Sequence, residues 1–362
     1  MKKKVFVGIS GGVDSAVAAH LLKTQGYELT GVFMKNWSGE DYGITDECPW
    51  EEDLQESIRV CKHLKIEHRT YNFEKEYRKH VMDYFFKQYQ LGNTPNPDIL
   101  CNKYIKFNAF LEKAVSEGAD YIATGHYART EEGNLFLSAD REKDQTYFLS
   151  GLGSNQLEKT LFPLGRLTKD KTRQIAKSID LPNAKRKDSQ GICFVGKIEL
   201  GAFLEQKIKP RKGKIVDIDS GKEIGDHRGV WFYTEGQRKG IQVGGSPKPY
   251  FVAQKDSERN ILYVALGKEN PALWKKDIKL AAVKAISGHI GDIFDKGQKL
   301  TARIRHRGKF IPIEGFTGIN NSLPVIHLSE AAWSPSPGQF LAFYKNDKCL
   351  GSGVITGGVI NK

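Results

Sequence analysis

The six residues Ser10-Gly11-Gly12-Val13-Asp14-Ser15 constrain this chain more than any other stretch. Lys4 to Ile9, just ahead of them, form a short apolar run that reads as a buried strand. After them Val13, Val17 and Leu21 recur at helical spacing among alanines, and Gly26 stands where a C-cap glycine belongs. A strand that turns through glycines into a helix is suited to holding an anion. The glycines let backbone N–H groups come close, Ser10 and Ser15 add hydroxyl donors, and the helix end adds partial positive charge. The stretch lacks the Gly-Lys-Ser/Thr ending of the loop that holds a triphosphate for γ-transfer.

The following 150 or so residues keep alternating between the two periods. Leu29 to Met34 reads as a second strand, Glu51 to Leu64 as an amphipathic helix, Glu67 to Phe73 as a strand and Glu74 to Gln90 as a long helix. Pro95 and Pro97 hold the next segment out of helix until Cys101, and a helix is predicted from about Lys103 to Glu117. Tyr121 to Thr124 is another buried strand, followed by Gly125-His126-Tyr127, and Thr168 caps a basic helix. This alternation predicts an α/β fold with a doubly wound parallel sheet, whose ligands bind at the carboxyl ends of its strands.

At 362 residues the chain exceeds one ordinary core. After about Glu205 glycines multiply and alternating strands replace helical spacing, as in 213–218, 229–234, 300–307, 323–328 and 339–344. The expected domains are therefore 1–204, 205–276 (a small mixed or β-rich domain) and 277–362 (a β-barrel). The 55 basic against 43 acidic residues leave +12, which favours a polyanionic partner, nucleic acid before membrane. Met1-Lys2-Lys3-Lys4 leads into a strand with no apolar leader, and no apolar run is long enough to span a membrane. A cytoplasmic location is expected.

Five cysteines, odd in number and without a CxxC pair, argue against a disulfide framework or a zinc site. Cys61 and Cys349 read as core, Cys48 as an ordinary exposed thiol. Cys101 falls near a predicted helix N-terminus, which favours thiolate, and Asp98 precedes it on the proline loop. Cys193 sits between Ile192 and Phe194, a packing environment, yet Lys185-Arg186-Lys187 upstream would stabilise a thiolate there.

The loop of residues 10–15 resembles the pyrophosphate loop (SGGxDS) of ATP pyrophosphatases. Together with Thr94-Pro95-Asn96-Pro97-Asp98-Ile99-Leu100-Cys101-Asn102, Thr124-Gly125-His126-Tyr127, Lys143-Asp144-Gln145, Gly191-Ile192-Cys193-Phe194, Gly236-Gln237-Arg238-Lys239-Gly240 and Pro337-Gly338-Gln339, it makes the chain similar nearly end to end to the tRNA-specific 2-thiouridylase family. His306 falls where that family is expected to carry a tyrosine.

The resemblance implies ATP-dependent 2-thiolation of the wobble uridine of tRNAs for Lys, Glu and Gln. ATP, with Mg²⁺ carried on it, would meet Gly8, Ile9, Ser10, Gly11, Gly12, Val13, Asp14 and Ser15, with Met34 and Gly125 framing the adenosine. Asp14 would serve either to orient metal or phosphates or as a helix-capping carboxylate. No metal site held by the protein alone is expected. The family's nucleophile matches Cys101 and its persulfide carrier Cys193, with Asp98 as the candidate acid–base group. Asn96, Pro97 and Asp98 match positions at the flipped target base, and His126, Lys143, Asp144, Gln145, Arg305, His306 and Gln339 match positions that touch tRNA. The implied partners are tRNA, a sulfur-donor protein and a reductant for a Cys101–Cys193 disulfide. Amidating synthetases and lysidine-type or argininosuccinate-type ligases share the loop, but need an amine or ammonia site and no cysteine pair.

Overall fold

In the computed structural model, residues 2–38, 50–187, 200–241, 243–294, 297–318 and 323–357 are described. Among them, the first sheet holds β1 (Lys4–Gly8), β2 (Glu28–Lys35), β3 (Glu67–Asn72), β4 (Tyr121–Ala123) and, after a short hairpin of β5 (Arg129–Glu131) and β6 (Asn134–Phe136), β7 (Thr160–Leu161). Its order is β3-β2-β1-β4-β7, and every pairing is parallel. Val5, Val7 and Val32 are fully buried, as both faces of such a sheet require. Helix α1 (Val13–Thr24) covers one face through Ala16, Val17 and Ala19, with helix Lys169–Ser178 packed beside it. Helix α2 (Trp50–Leu64) adds Val60 and Cys61 to the same core. The order reverses between β1 and β4, so the crevice lies where β1 runs into α1.

The other face carries two long helical runs, 74–90 and 97–116, each interrupted by a π-helical stretch, Arg78–Met82 and Cys101–Ala109. The second begins earlier than the sequence suggests. Pro97 takes the first helical position, where its missing N–H costs nothing, and Asn96 caps the end by accepting from Ile99 N–H at 3.2 Å. Cys101 therefore lies a full turn inside the helix, which weakens the helix-terminus argument for its thiolate.

A mixed sheet follows, ordered β10-β11-β8-β9, from β8 (Gly213–Asp217), β9 (Glu223–His227), β10 (Tyr250–Asp256) and β11 (Ile261–Leu266). The strand expected over 229–234 is instead a 3₁₀ turn, Val230–Phe232, introduced by Gly229 at φ +130°. Six antiparallel strands then close a barrel: β12 (Trp274–Ala285), β13 (Thr301–Arg303), β14 (Ile311–Thr317), β15 (Val325–Trp333), β16 (Phe340–Lys345) and β17 (Lys348–Ile355). Closure comes from β12 pairing with both β15 and β17.

The barrel is tied to the first domain at many points, three of which follow. Hairpin β5–β6 adds to the barrel edge through β6 against β17. The Asp144 carboxylate takes hydrogen bonds from Ser138 N–H (2.9 Å), Thr146 Oγ1 (2.7 Å) and Arg303 Nη1 (2.9 Å), with both charged side chains buried. Tyr147 Oη donates to the carbonyls of Phe340 (3.1 Å) and Ile304 (3.3 Å). Among the described residues no helix is long and apolar enough to cross a membrane.

Candidate active site

The loop after β1 is built as its sequence demands. Gly11 takes φ +75°, and a side chain there would strike the Asp53 carbonyl oxygen at 2.8 Å. Ser15 turns back on the loop, accepting from Ser10 N–H at 3.2 Å and donating to Gly12 O at 3.0 Å. Gly12 N-caps α1 with no side-chain cap, so the first N–H groups of a twelve-residue helix lie open at the crevice.

Loop 124–127 presses on this cradle from β4. A Cβ at Gly125 would lie 2.6 Å from Ser15 N and 2.7 Å from Asp14 C, both backbone atoms that cannot give way. A Cβ at Gly8 would meet Met34 Cε at 2.9 Å, so Gly8, Met34, Gly125 and the loop form one contiguous wall. Replacing Gly125 by valine should weaken ATP binding at least tenfold, read by calorimetric titration, because the added carbons push apart β4 and the cradle. Unchanged affinity would remove Gly125 from the ATP-binding role that the resemblance implies for it.

Asp14 is committed to neighbours. Lys169 Nζ lies 2.8 Å from each carboxylate oxygen, and Tyr127 Oη donates to Oδ1 at 3.1 Å. The capping alternative does not describe it, since it makes an ion pair across to the next helix. Sequence reasoning missed Lys169, whose one signal was its place in the basic helix after Thr168. It also missed Asn183 and Arg186 as supports of the cradle, where both donate to Gly11 O at 2.9 and 3.2 Å. Arg186 also pairs with Asp53 at 2.5 Å, bracing the loop against α2.

A second cluster lies around the Asn96 cap. Asn96 Nδ2 donates to Gln339 Oε1 at 3.2 Å, while Gln339 Nε2 donates to the carbonyls of Thr94 (2.9 Å) and Pro95 (3.2 Å). Gly338, at φ +90°, brings backbone against Thr94, where a Cβ would sit 2.9 Å from its carbonyl oxygen. The proline loop and the 337–339 turn, distant in sequence, are therefore clamped together. Pro97 is buried in this cap, Asp98 is half-buried in the first helical turn, and Cys101 is 2% exposed.

The residues matched to tRNA contacts differ in exposure and partners. Lys143 and His126 are half-buried and Arg305 is exposed, its guanidinium held by the Trp333 and Ser334 carbonyls. The His306 ring lies 4.6 Å from that of Phe148, and its Nδ1 is buried without a hydrogen-bond partner. Burial, with Arg303, Arg307 and Lys143 nearby, pushes the His306 pKa down to about 4, so the ring is neutral at neutral pH. Burial likewise holds His126 well below its ordinary value, with the Lys106 charge adding to the effect. Asp144 faces inward to Arg303, as described above. Gln145 exchanges hydrogen bonds with Tyr127, accepting from Tyr127 N–H and donating its own N–H to Tyr127 O, both at 2.9 Å. Gln145 thereby joins the 124–127 loop beside the cradle to the segment beside Phe148 and His306.

Cys48 and Cys193 lie outside the described residues. Cys61 and Cys349 are buried, and burial pushes each thiol up to about 12, so both are inert packing groups.

Family models match the chain in three consecutive blocks: a tRNA methyl transferase HUP domain over 3–197, a tRNA methyl transferase PRC-barrel domain over 201–266 and an aminomethyltransferase beta-barrel domain over 278–355. The chain is 40% identical to the tRNA-specific 2-thiouridylase MnmA of Christiangramia forsetii, over 98% of this chain and 100% of that protein. It is 44% identical to the same-named proteins of Paraburkholderia phymatum (98% of this chain, 94% of that protein) and Legionella pneumophila (98% and 99%).

Proposed function

The chain belongs to the tRNA-specific 2-thiouridylase family, a family of tRNA sulfurtransferases, and on that premise we propose that it replaces O2 of the wobble uridine in tRNAs for Lys, Glu and Gln by sulfur, at the expense of ATP. The observation that carries this reading is a glycine-built anion cradle in the same domain as a buried cysteine one turn inside an Asn96-capped helix, whose Phe107 ring lies 5.6 Å from that of His126 in the loop beside the cradle.

The uridine C2 carbonyl is amide-like, so its oxygen must first become a leaving group. O2 attacks the α-phosphorus of ATP and pyrophosphate departs, its charge held by the open N–H groups at 11–15 and the Ser10 hydroxyl. The cradle fits this role, since a side chain at Gly125 would crowd the Ser15 N–H that the cradle offers. Met34 and Gly125 frame the adenosine. Both Asp14 oxygens are engaged by Lys169, so any Mg²⁺ arrives with the phosphates, where it would neutralise their charge.

A persulfide on Cys193, loaded by a sulfur-donor protein, then attacks C2 through its terminal sulfur and AMP leaves. The Cys101 thiolate attacks the inner sulfur, which breaks the S–S bond, leaves a thiocarbonyl on the base and forms a Cys101–Cys193 disulfide. A dithiol reductant reopens it. Asn96 and Pro97 would shape the pocket for the flipped base, with Asp98 exchanging a proton at it. His306, neutral and with an unpartnered Nδ1, suits hydrogen bonding or stacking with a base better than pairing with phosphate. Gln339 supports this site by fixing Asn96. The reaction is placed in the cytoplasm.

The test is mass analysis of nucleosides from tRNA incubated with protein, ATP and a persulfide source. One oxygen replaced by sulfur, at the wobble uridine and only with ATP, is the expected result. A gained methyl group, as the wording of the family models suggests, or sulfur gained without ATP, would overturn the reading.

A further inference from the structure

A cavity of about 310 Å³ opens where helical runs 74–90 and 97–116 meet the barrel. Its charged and aromatic lining comes from Lys79, His80 and Tyr84, from Lys103 and Tyr104 just beyond Cys101, and from Lys284 of β12. Among the described residues no acidic side chain lines it. None of the three lysines forms an ion pair with a described carboxylate, whereas Lys35 and Lys113, elsewhere on these helices and strands, pair with Glu74 and Glu117. Burial and the Lys103 charge both lower the Lys284 pKa, the mark of ammonium groups held together without a counter-charge.

An irregularity in the barrel brings Lys284 here. Ala281 pairs with Val354 and Lys284 with Ser352, so Ala282 and Val283 together oppose Gly353. Ala282 takes φ +48°, a left-handed conformation unusual for alanine. Such a bulge shifts the alternation of the strand, so the residues beyond it exchange faces. Lys284 would otherwise point away from the cavity. Part of the remaining wall is aromatic: the Tyr104 ring stacks on His80 at 5.0 Å and 19°, and Lys103 Nζ lies 4.9 Å from the Tyr104 ring centre.

We propose that this cavity is a second RNA subsite, which holds one unstacked nucleotide beside the modified uridine, its phosphate among Lys79, Lys103 and Lys284 and its base against Tyr84 and the Tyr104–His80 stack. The proposal rests on the reading of the main site as a tRNA-modifying one. Lysines around a phosphate with aromatic faces for a base are the chemistry of single-strand recognition, and the volume is at the small end for ligand sites, enough for one nucleotide. The position fits as well, since Leu100 and Lys103 line the cavity on either side of Cys101.

The experiment compares the wild-type protein, the double variant Lys103→Gln/Lys284→Gln and a charge-matched control, Lys212→Gln/Lys345→Gln, in binding tRNA and an anticodon-loop RNA across a salt series. The double variant should bind about tenfold more weakly at low salt, with a log K against log salt slope shallower by about 0.7 for each phosphate no longer neutralised. Its ATP affinity should not change. Anticodon-loop RNA carrying 5-iodouridine beside the target should photocrosslink to peptides containing Tyr84 or Tyr104 in the wild-type protein. Affinity and slope equal to the control, or crosslinks elsewhere only, would overturn the subsite. Uridine monophosphate and inorganic phosphate are titrated in parallel: binding that depends on Lys103 and Lys284 but leaves RNA affinity untouched assigns the cavity to a free phosphate ester and equally overturns it. Wild-type protein that fails to bind tRNA at all would instead remove the reading of the main site.

Discussion

Cys101→Ser protein should bind ATP normally, release pyrophosphate in a tRNA-dependent first turnover, and yet transfer no measurable sulfur. Serine keeps the size of the side chain at a site that is 2% exposed, so the fold should not notice the change. A hydroxyl is almost wholly protonated at neutral pH and is a poor nucleophile toward sulfur, so the step that liberates the thiocarbonyl loses on the order of 10³-fold or more. Single-turnover thiolation with persulfide-loaded protein reads the loss directly, and pyrophosphate release reads the half-reaction that should survive. Peptide mapping adds a covalent check: oxidised wild-type protein should yield a Cys101–Cys193 link that the variant lacks. Wild-type rates in the variant would mean that sulfide leaves Cys193 unaided, and the role assigned to Cys101 would fall. Because Cys101 is buried, its reaction also requires the surrounding loops to admit the carrier, so thiolation should be slower than ATP binding.

What the sequence made legible was whatever burial writes locally. Strands β1, β2 and β4 are covered on both faces and read as apolar runs, and Cys61 and Cys349 read as core and are core. The shape of the loop at 10–15 was legible because its glycines are demanded by a left-handed turn at Gly11 and a backbone contact at Gly125. The helix start at Pro97 was misread because a proline that usually stops a helix sits here in the first turn, where none of its defects matter. The 300–307 stretch alternates like a strand, yet only Thr301–Arg303 pairs, because the chain then turns at 305–308. Lys169 and Arg186 showed only as members of basic runs and Asn183 not at all, so none carried a local sign of its partner. Each acts across more than 130 positions of sequence, on Asp14 or on the Gly11 carbonyl, and only tertiary structure displays such pairs. The bulge at Ala282 was equally silent, since alanine gives no hint of φ +48°.

Arg303→Met should destabilise the protein by about 3–5 kcal/mol, because it strands a buried carboxylate at the seam between the first domain and the barrel. In the wild-type structure the Asp144 and Arg303 side chains are 1% and 3% exposed. Burial already raises the Asp144 carboxyl above its usual value despite the hydrogen bonds from Ser138 and Thr146 and the Arg303 charge that oppose it. Removing the guanidinium takes away the charge partner and leaves the burial. The sign follows from linkage. An acid whose folded pKa lies above its unfolded value loses folding stability as pH rises between the two and regains it as pH falls. The gap between variant and wild type should therefore be wider at pH 7 than at pH 5, and urea titrations at the two values measure it. Asp144→Leu combined with Arg303→Met removes both charges and should recover most of the stability lost by Arg303→Met alone. A single variant as stable as wild type, or a deficit that widens on acidification, would show that this pair does not hold the two domains together. ATP affinity offers an independent readout, since the cradle at Ser10 to Ser15 is built within the first sheet and should keep its strength wherever the variant remains folded.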